Sequence, residues 1–261
     1  MFDSLVAPLS QSFHAHTLAF FVCAVISVLI VGISKSGFGA GLGILSLPLM
    51  ASQSSINEAL AILLPLLIAI YLVGLRRFIR NANWRILKLI LPPAIMGLAL
   101  GMFFFTAITP KVLTLSIGIF TLLFLMQNLA MTYFDSREAK PYPWLGRAMG
   151  LTSGFTSFVA HIGGPPITVF MLRENLLPMV YTSTLGVFFT FINFGKLGPY
   201  AYLELLNFQQ LATSLLLLPC VPFGVYFGFY LAKRISMKWY YHIVRFFLLV
   251  ASIKLISDGL L

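Results

Sequence analysis

The chain predicts an all-α integral membrane protein with about eight hydrophobic segments in two inverted, pseudo-symmetric halves. Each half opens with a Gly-rich broken or re-entrant helical hairpin. Three observations carry that prediction. Hydrophobic residues make up 59% of the 261 and charged residues 9%, with a mean hydropathy of +0.96, so a soluble domain would lack polar residues to cover its surface. The apolar residues fall into runs near the roughly 20 residues that a helix needs to cross the hydrocarbon core. The runs also repeat.

In chain order, the first segment, 13–50, is longer than one crossing and is interrupted by Ser34-Lys35-Ser36-Gly37-Phe38-Gly39-Ala40-Gly41-Leu42-Gly43. Plain apolar runs follow at 57–75, 86–106 and 112–133. The charged stretch 134–146 reads as a linker between a first half, 1–133, and a second, 147–261, within a single transmembrane domain, 1–261. The second half opens with another interrupted segment, 145–172, centred on Val159-Ala160-His161-Ile162-Gly163-Gly164-Pro165-Pro166. Gly and Pro there suit a hairpin turn. Further runs lie at 179–195, 208–231 and 239–256.

The repeat is specific. Pro92, Gly97 and Gly101 recur as Pro219, Gly224 and Gly228, and Lys111 recurs as Lys238, all at an offset of 127. A weaker match at an offset of 122 places Gly32 on Gly154, Gly41 on Gly163 and Ser46-Leu47 on Thr168-Val169. Paired internal repeats of this kind build many transporter folds. The Gly97/Gly101 and Gly224/Gly228 pairs read as helix-packing faces.

Lysine and arginine set the orientation, because short cytoplasmic loops are enriched in them. Arg76, Arg77, Arg80, Arg85 and Lys88 follow the second segment, whereas the equivalent stretch between Tyr202 and Leu215 has none. Equivalent loops therefore face opposite sides. Between the linker and the basic residues Lys233, Arg234 and Lys238 lie three apolar segments, so one of them, 145–172, must turn back, and by symmetry 13–50 does too. Eight ordinary crossings are the competing reading. Trp84, Trp144 and Trp239, beside loop charges, read as interfacial anchors. Residues 1–16 contain no Lys or Arg, which predicts no cleaved signal peptide.

Composition also excludes function classes. The net charge of +10 is spread over short loops and does not form a nucleic-acid face. Cys23 and Cys220 read as packing residues without a disulfide. No metal-ligand cluster, nucleophile elbow or phosphate-binding loop is present, so neither an enzyme nor a cofactor is predicted.

What remains is a binding site for a small anion in the bilayer. If the broken helices restart near Gly39 to Gly43 and near Gly164 to Ile167, two helix N-termini face one cavity with unpaired N–H groups and partial positive charge. Gly39, Gly41, Gly43, Gly163 and Gly164 let backbone approach a ligand, Ser34 and Ser36 add hydroxyl donors, and Lys35 supplies full charge. Asn193 is placed at the cavity, and His161 is a candidate ligand or proton carrier. Glu58 is the acid nearest a motif, a candidate counter-ion to Lys35 or proton acceptor. The plainer alternatives are a close-packed helix face at 37–43, an interfacial Lys35 and a satisfied interior His161. Lys196 reads as an interfacial snorkelling lysine, and Arg173 with Glu174 as a surface ion pair.

Two halves that each open with such a segment, Gly37-Phe38-Gly39-Ala40-Gly41-Leu42-Gly43 with Pro48, and His161-Ile162-Gly163-Gly164-Pro165-Pro166, resemble the sulfite exporter TauE/SafE family over nearly the whole chain. The resemblance implies a bacterial inner-membrane transporter moving sulfite, sulfonates or related organic anions outward. Lys35, His161 and the Pro165-Pro166 pair depart from the family's plainer motifs. An anion channel and a proton-coupled importer stay open as alternatives. Expected partners are the substrate and the lipid bilayer.

Overall fold

The computed structural model describes residues 16–38, 42–105, 142–174 and 176–231, with single positions within 107–126 and 246–260. Most of the runs at 112–133 and 239–256, the linker core, Gly39 and Gly41 lie outside the described residues. No strand occurs among the described residues.

Helix α1, Leu18–Ile33, begins at Thr17, whose hydroxyl accepts the Phe20 amide at 3.2 Å. The chain then widens into a π turn, Ser34–Phe38, and resumes as a 3₁₀ turn, Leu42–Leu45, followed by the short helix α2, Ser46–Ala51. Helix α3, Ile56–Asn81, is capped by the Ser55 hydroxyl, which accepts the Glu58 amide. Asn83 caps α4, Trp84–Phe105, by accepting the Arg85 and Ile86 amides through Oδ1. The second half contains α5, Pro143–Ala160; α6, Gly164–Arg173; α7, Pro178–Tyr202; α8, Phe208–Leu217; and α9, Cys220–Leu231. Proline stands at the start of α5, α6 and α7, where its missing N–H costs nothing.

Leu18–Ser36, Ile56–Asn81 and Trp84–Phe105 are long and apolar enough to cross a bilayer, and α8 with the adjoining Cys220–Gly228 makes a fourth span if the pair is one unit. That pair is bent by 51°. Sequence reads 208–231 as one plain run; the break falls at Leu218-Pro219, and Pro222 follows within the next turn. The equivalent Pro92-Pro93 stays inside a continuous α4.

Glycine decides which helices meet. A Cβ at Gly97 would fall on the Leu151 carbonyl oxygen, one at Gly154 on that of Ala94, and one at Gly150 would lie 2.6 Å from that of Ile90. Thus α4 and α5 touch backbone to backbone. The same holds for α1 and α9, where a Cβ at Gly32 would come within 2.9 Å of Gly224 backbone. The Ser36 hydroxyl spans that second seam, donating to Gly32 at 2.7 Å and Val225 at 3.0 Å. Since Gly32 matches Gly154 and Gly224 matches Gly97 in the repeat, the broken helix of each half packs on the proline-bearing helix of the other.

The equivalent helices α3 and α7 pack against each other. Leu60 lies by His161 and Lys196, Tyr71 by Phe189, Phe78 by Gly186 and Asn83 by Thr184. As numbers rise on α3 they fall on α7, so the two run antiparallel. The apolar core, including Leu63, Leu67, Ile70, Phe188 and Ile192, fills the space between them and their neighbours.

Candidate functional site

The site lies where the two breaks meet α3 and α7. Phe189, Asn193 and Lys196 follow an i, i+4, i+7 spacing on α7, so one face of that helix presents all three. Phe189 is near the middle of α7, as Tyr71 is on the central stretch of α3, and their rings stack with centroids 6.0 Å apart.

From the first break, Lys35 places its Nζ 4.5 Å from the Phe189 ring centroid, a cation–π contact. Among the described residues Lys35 has no hydrogen-bond or ion-pair partner. Lys35 stands at the end of the candidate span Leu18–Ser36, where an unpaired ammonium that stays out of water favours an anionic partner. Two buried hydroxyls also lack partners, Ser34 Oγ beside Lys35 and the OH of Tyr71, whose ring stacks on Phe189. Gly43 borders the same space, because a Cβ there would lie 3.4 Å from Lys35 Cε and 3.5 Å from Ser34 Oγ.

The second break is built differently. His161 ends α5 in the left-handed region, at φ 56°. Its Nε2 lies 3.0 Å from the Leu60 carbonyl oxygen and its Nδ1 lies 2.9 Å from Lys196 Nζ. A carbonyl can only accept, which assigns the ring proton to Nε2 and leaves Nδ1 as an acceptor for the ammonium. Lys196 also donates to Asn193 Oδ1 at 3.2 Å. Lys35, over Phe189, and Lys196, about two turns further along α7, reach the same face of that helix. The two breaks therefore face one electropositive space. Gly163 closes its wall: a Cβ there would lie 3.0 Å from Phe189 Cε1, and its carbonyl accepts from the Ser153 hydroxyl.

The structure thus brings together Ser34, Lys35, Gly43, His161, Gly163 and Asn193. It redirects others. Ser36 donates to two backbone carbonyls at the α1–α9 seam, so it locks helices together and has no proton left for a ligand. The Glu58 carboxylate faces His16 Nε2 at 3.5 Å in the first turn of α3, and does not pair with Lys35. Gly164 begins α6, and its carbonyl accepts from the Thr168 hydroxyl at 2.8 Å. The helix ends contribute less positive charge than expected, because Pro165 and Pro166 remove two N–H groups from α6 and α2 is only six residues long. Side-chain ammonium groups supply it instead.

Lys196 is the main departure from sequence reasoning. It is not a snorkelling lysine; its exposure is 0%. The signal was its spacing of three residues from Asn193, which puts both on one helix face. Tyr71 and Phe189 carried no comparable mark. At the surface, partial burial pushes the Glu174 carboxyl above its ordinary range, and the nearby Arg85 opposes that shift.

A family model described as "Sulfite exporter TauE/SafE" matches residues 24–255. No curated protein and no solved structure matches the chain.

Proposed function

The chain belongs to the sulfite exporter TauE/SafE family, and on that premise we propose that it is a secondary transporter exporting a small anion by alternating access. Sulfite, a sulfonate or a related organic acid anion is the proposed cargo, and the bacterial inner membrane the proposed location. Membership makes the chain a multi-pass membrane transporter, which fits its long apolar helices.

One observation carries the finer reading: Lys35, unpaired among the described residues, sits over Phe189, the unsatisfied Ser34 hydroxyl lies with it at Gly43, and the Tyr71 ring, whose hydroxyl is also unsatisfied, stacks on Phe189. The ammonium can only donate, the hydroxyls are able to, and none of the groups is a carboxylate, so an anion is the occupant that balances the charge and takes the donors. Burial of Ser34, Phe189, Asn193 and Lys196 supports an occluded site, as a carrier has, over an open pore. The antiparallel α3 and α7 and the exchanged glycine seams support inverted halves, and rocking of one half against the other would expose the site to each side in turn. An interior-negative potential drives each negative charge outward by about 2.3 kcal/mol per 100 mV, so export needs no coupled ion.

The test is sulfite efflux from proteoliposomes under an imposed potential, for the wild type and for Lys35→Ala. Saturable efflux that the folded variant loses is expected. Absence of efflux, or a variant as active as the wild type, would overturn the central site.

A further inference from the structure

We propose that the site takes a doubly charged anion, held between the ammonium groups of Lys35 and Lys196, and that Lys196 determines this charge selectivity. The inference rests on the transport reading and adds the charge of the cargo. Lys196 is fully buried, and its two acceptors, His161 Nδ1 and Asn193 Oδ1, are both neutral. Neutral acceptors aim an ammonium without cancelling its charge. Lys35 reaches the same face of α7 from the first break, its Nζ over the Phe189 ring.

No described carboxylate offsets either charge. Glu58 faces His16, Glu174 caps the end of α6, and Glu204 is exposed just beyond the end of α7. A singly charged anion would leave either the fully buried Lys196 or the half-buried Lys35 uncompensated, whereas a doubly charged one balances both. The free hydroxyls of Ser34 and Tyr71 supply further donors to its oxygens. His161 is a positioning residue here. The Leu60 carbonyl holds its proton on Nε2, and that in turn keeps Nδ1 available to fix the Lys196 ammonium.

The experiment compares two pairs of probes with the purified full chain: sulfate with methanesulfonate, and sulfoacetate with its singly charged carboxyl methyl ester. Calorimetric binding in detergent and electrogenic flux in proteoliposomes are the readouts. The expected result is that in at least one pair the doubly charged member binds roughly thirtyfold or more tightly, the scale set by losing one partner of a buried charge pair. Its flux should carry about two charges per molecule. Lys196→Gln should narrow that preference while retaining the singly charged probe.

Equal affinity within both pairs, or about one charge per molecule, overturns the inference and leaves transport standing. If no probe binds or moves, the transport reading falls and this inference with it. Should Lys196→Gln fail to fold, the wild-type comparison within each pair still decides.

Discussion

The two breaks hold equivalent places in the repeat and are made by different means. The first interrupts α1 with a π turn and delivers a charged side chain, Lys35, into the shared space. The second ends α5 with a left-handed histidine that is tied at one ring nitrogen to α3 and at the other to Lys196. One break brings charge; the other brings an anchor. The two segments share a sequence pattern, and the candidate site draws on what differs between them.

Substitutions at the glycine seams test the scaffold side of that comparison and should have the largest effects. In Gly154→Ala the new methyl meets the Ala94 carbonyl, which belongs to the helix backbone and cannot rotate away. A loss of at least about 3 kcal/mol is expected, at or above the usual cost of overpacking, and size-exclusion profiles in detergent should show little folded protein. Gly32→Ala, its counterpart, meets Gly224 backbone at 2.9 Å and should be milder, lowering the thermal midpoint without abolishing folding. Equal damage at both would mean that the seams are interchangeable.

His161 tests the anchor. His161→Ala leaves the Leu60 carbonyl and Lys196 each short of a partner, at a cost of about 1–3 kcal/mol for the unsatisfied buried group. His161→Asn tolerates the left-handed backbone and keeps an acceptor, so it should recover part of the melting temperature. If Asn recovers nothing, the ring itself is required. Ser36→Ala removes a hydroxyl shared between Gly32 and Val225, and a loss of about 1 kcal/mol with transport intact is expected in melting and efflux assays. A selective loss of efflux would return Ser36 to the site.

The smallest effect concerns Glu174. Its carboxyl titrates above the ordinary range in the fold, so the folded state binds its proton more readily than the unfolded chain. Stability should therefore rise as pH falls through that raised value and level off below the ordinary carboxylate range. Glu174→Gln should remove this slope from the pH dependence of melting.

Much of the fold was legible because membrane helices announce themselves by length and apolarity, and because Gly and Pro mark where they break. The packing role of Gly97 and Gly224 was readable from spacing, since only small residues let backbones touch. Lys35, His161 and Asn193 stood out as polar residues in apolar runs. Lys196 carried the same mark but lies near the end of its run, where sequence cannot distinguish a buried ammonium from one that reaches water. Tyr71 and Phe189 were hidden for another reason. Aromatic residues are ordinary in such helices, and only the antiparallel packing of α3 and α7 gives these two a role.

The seam between α1 and α9 also constrains how the molecule is made. Synthesis delivers α1 well before α9, so the glycine face around Gly32 gains its partner only after α2 to α8 have emerged. Long-range closure of this kind is slow and leaves incomplete chains exposed. A ribosome product that stops before α8 would contain α1 to α7 and still lack the backbone that closes on Gly32, an open face by which membrane quality control could tell a finished transporter from an abandoned one.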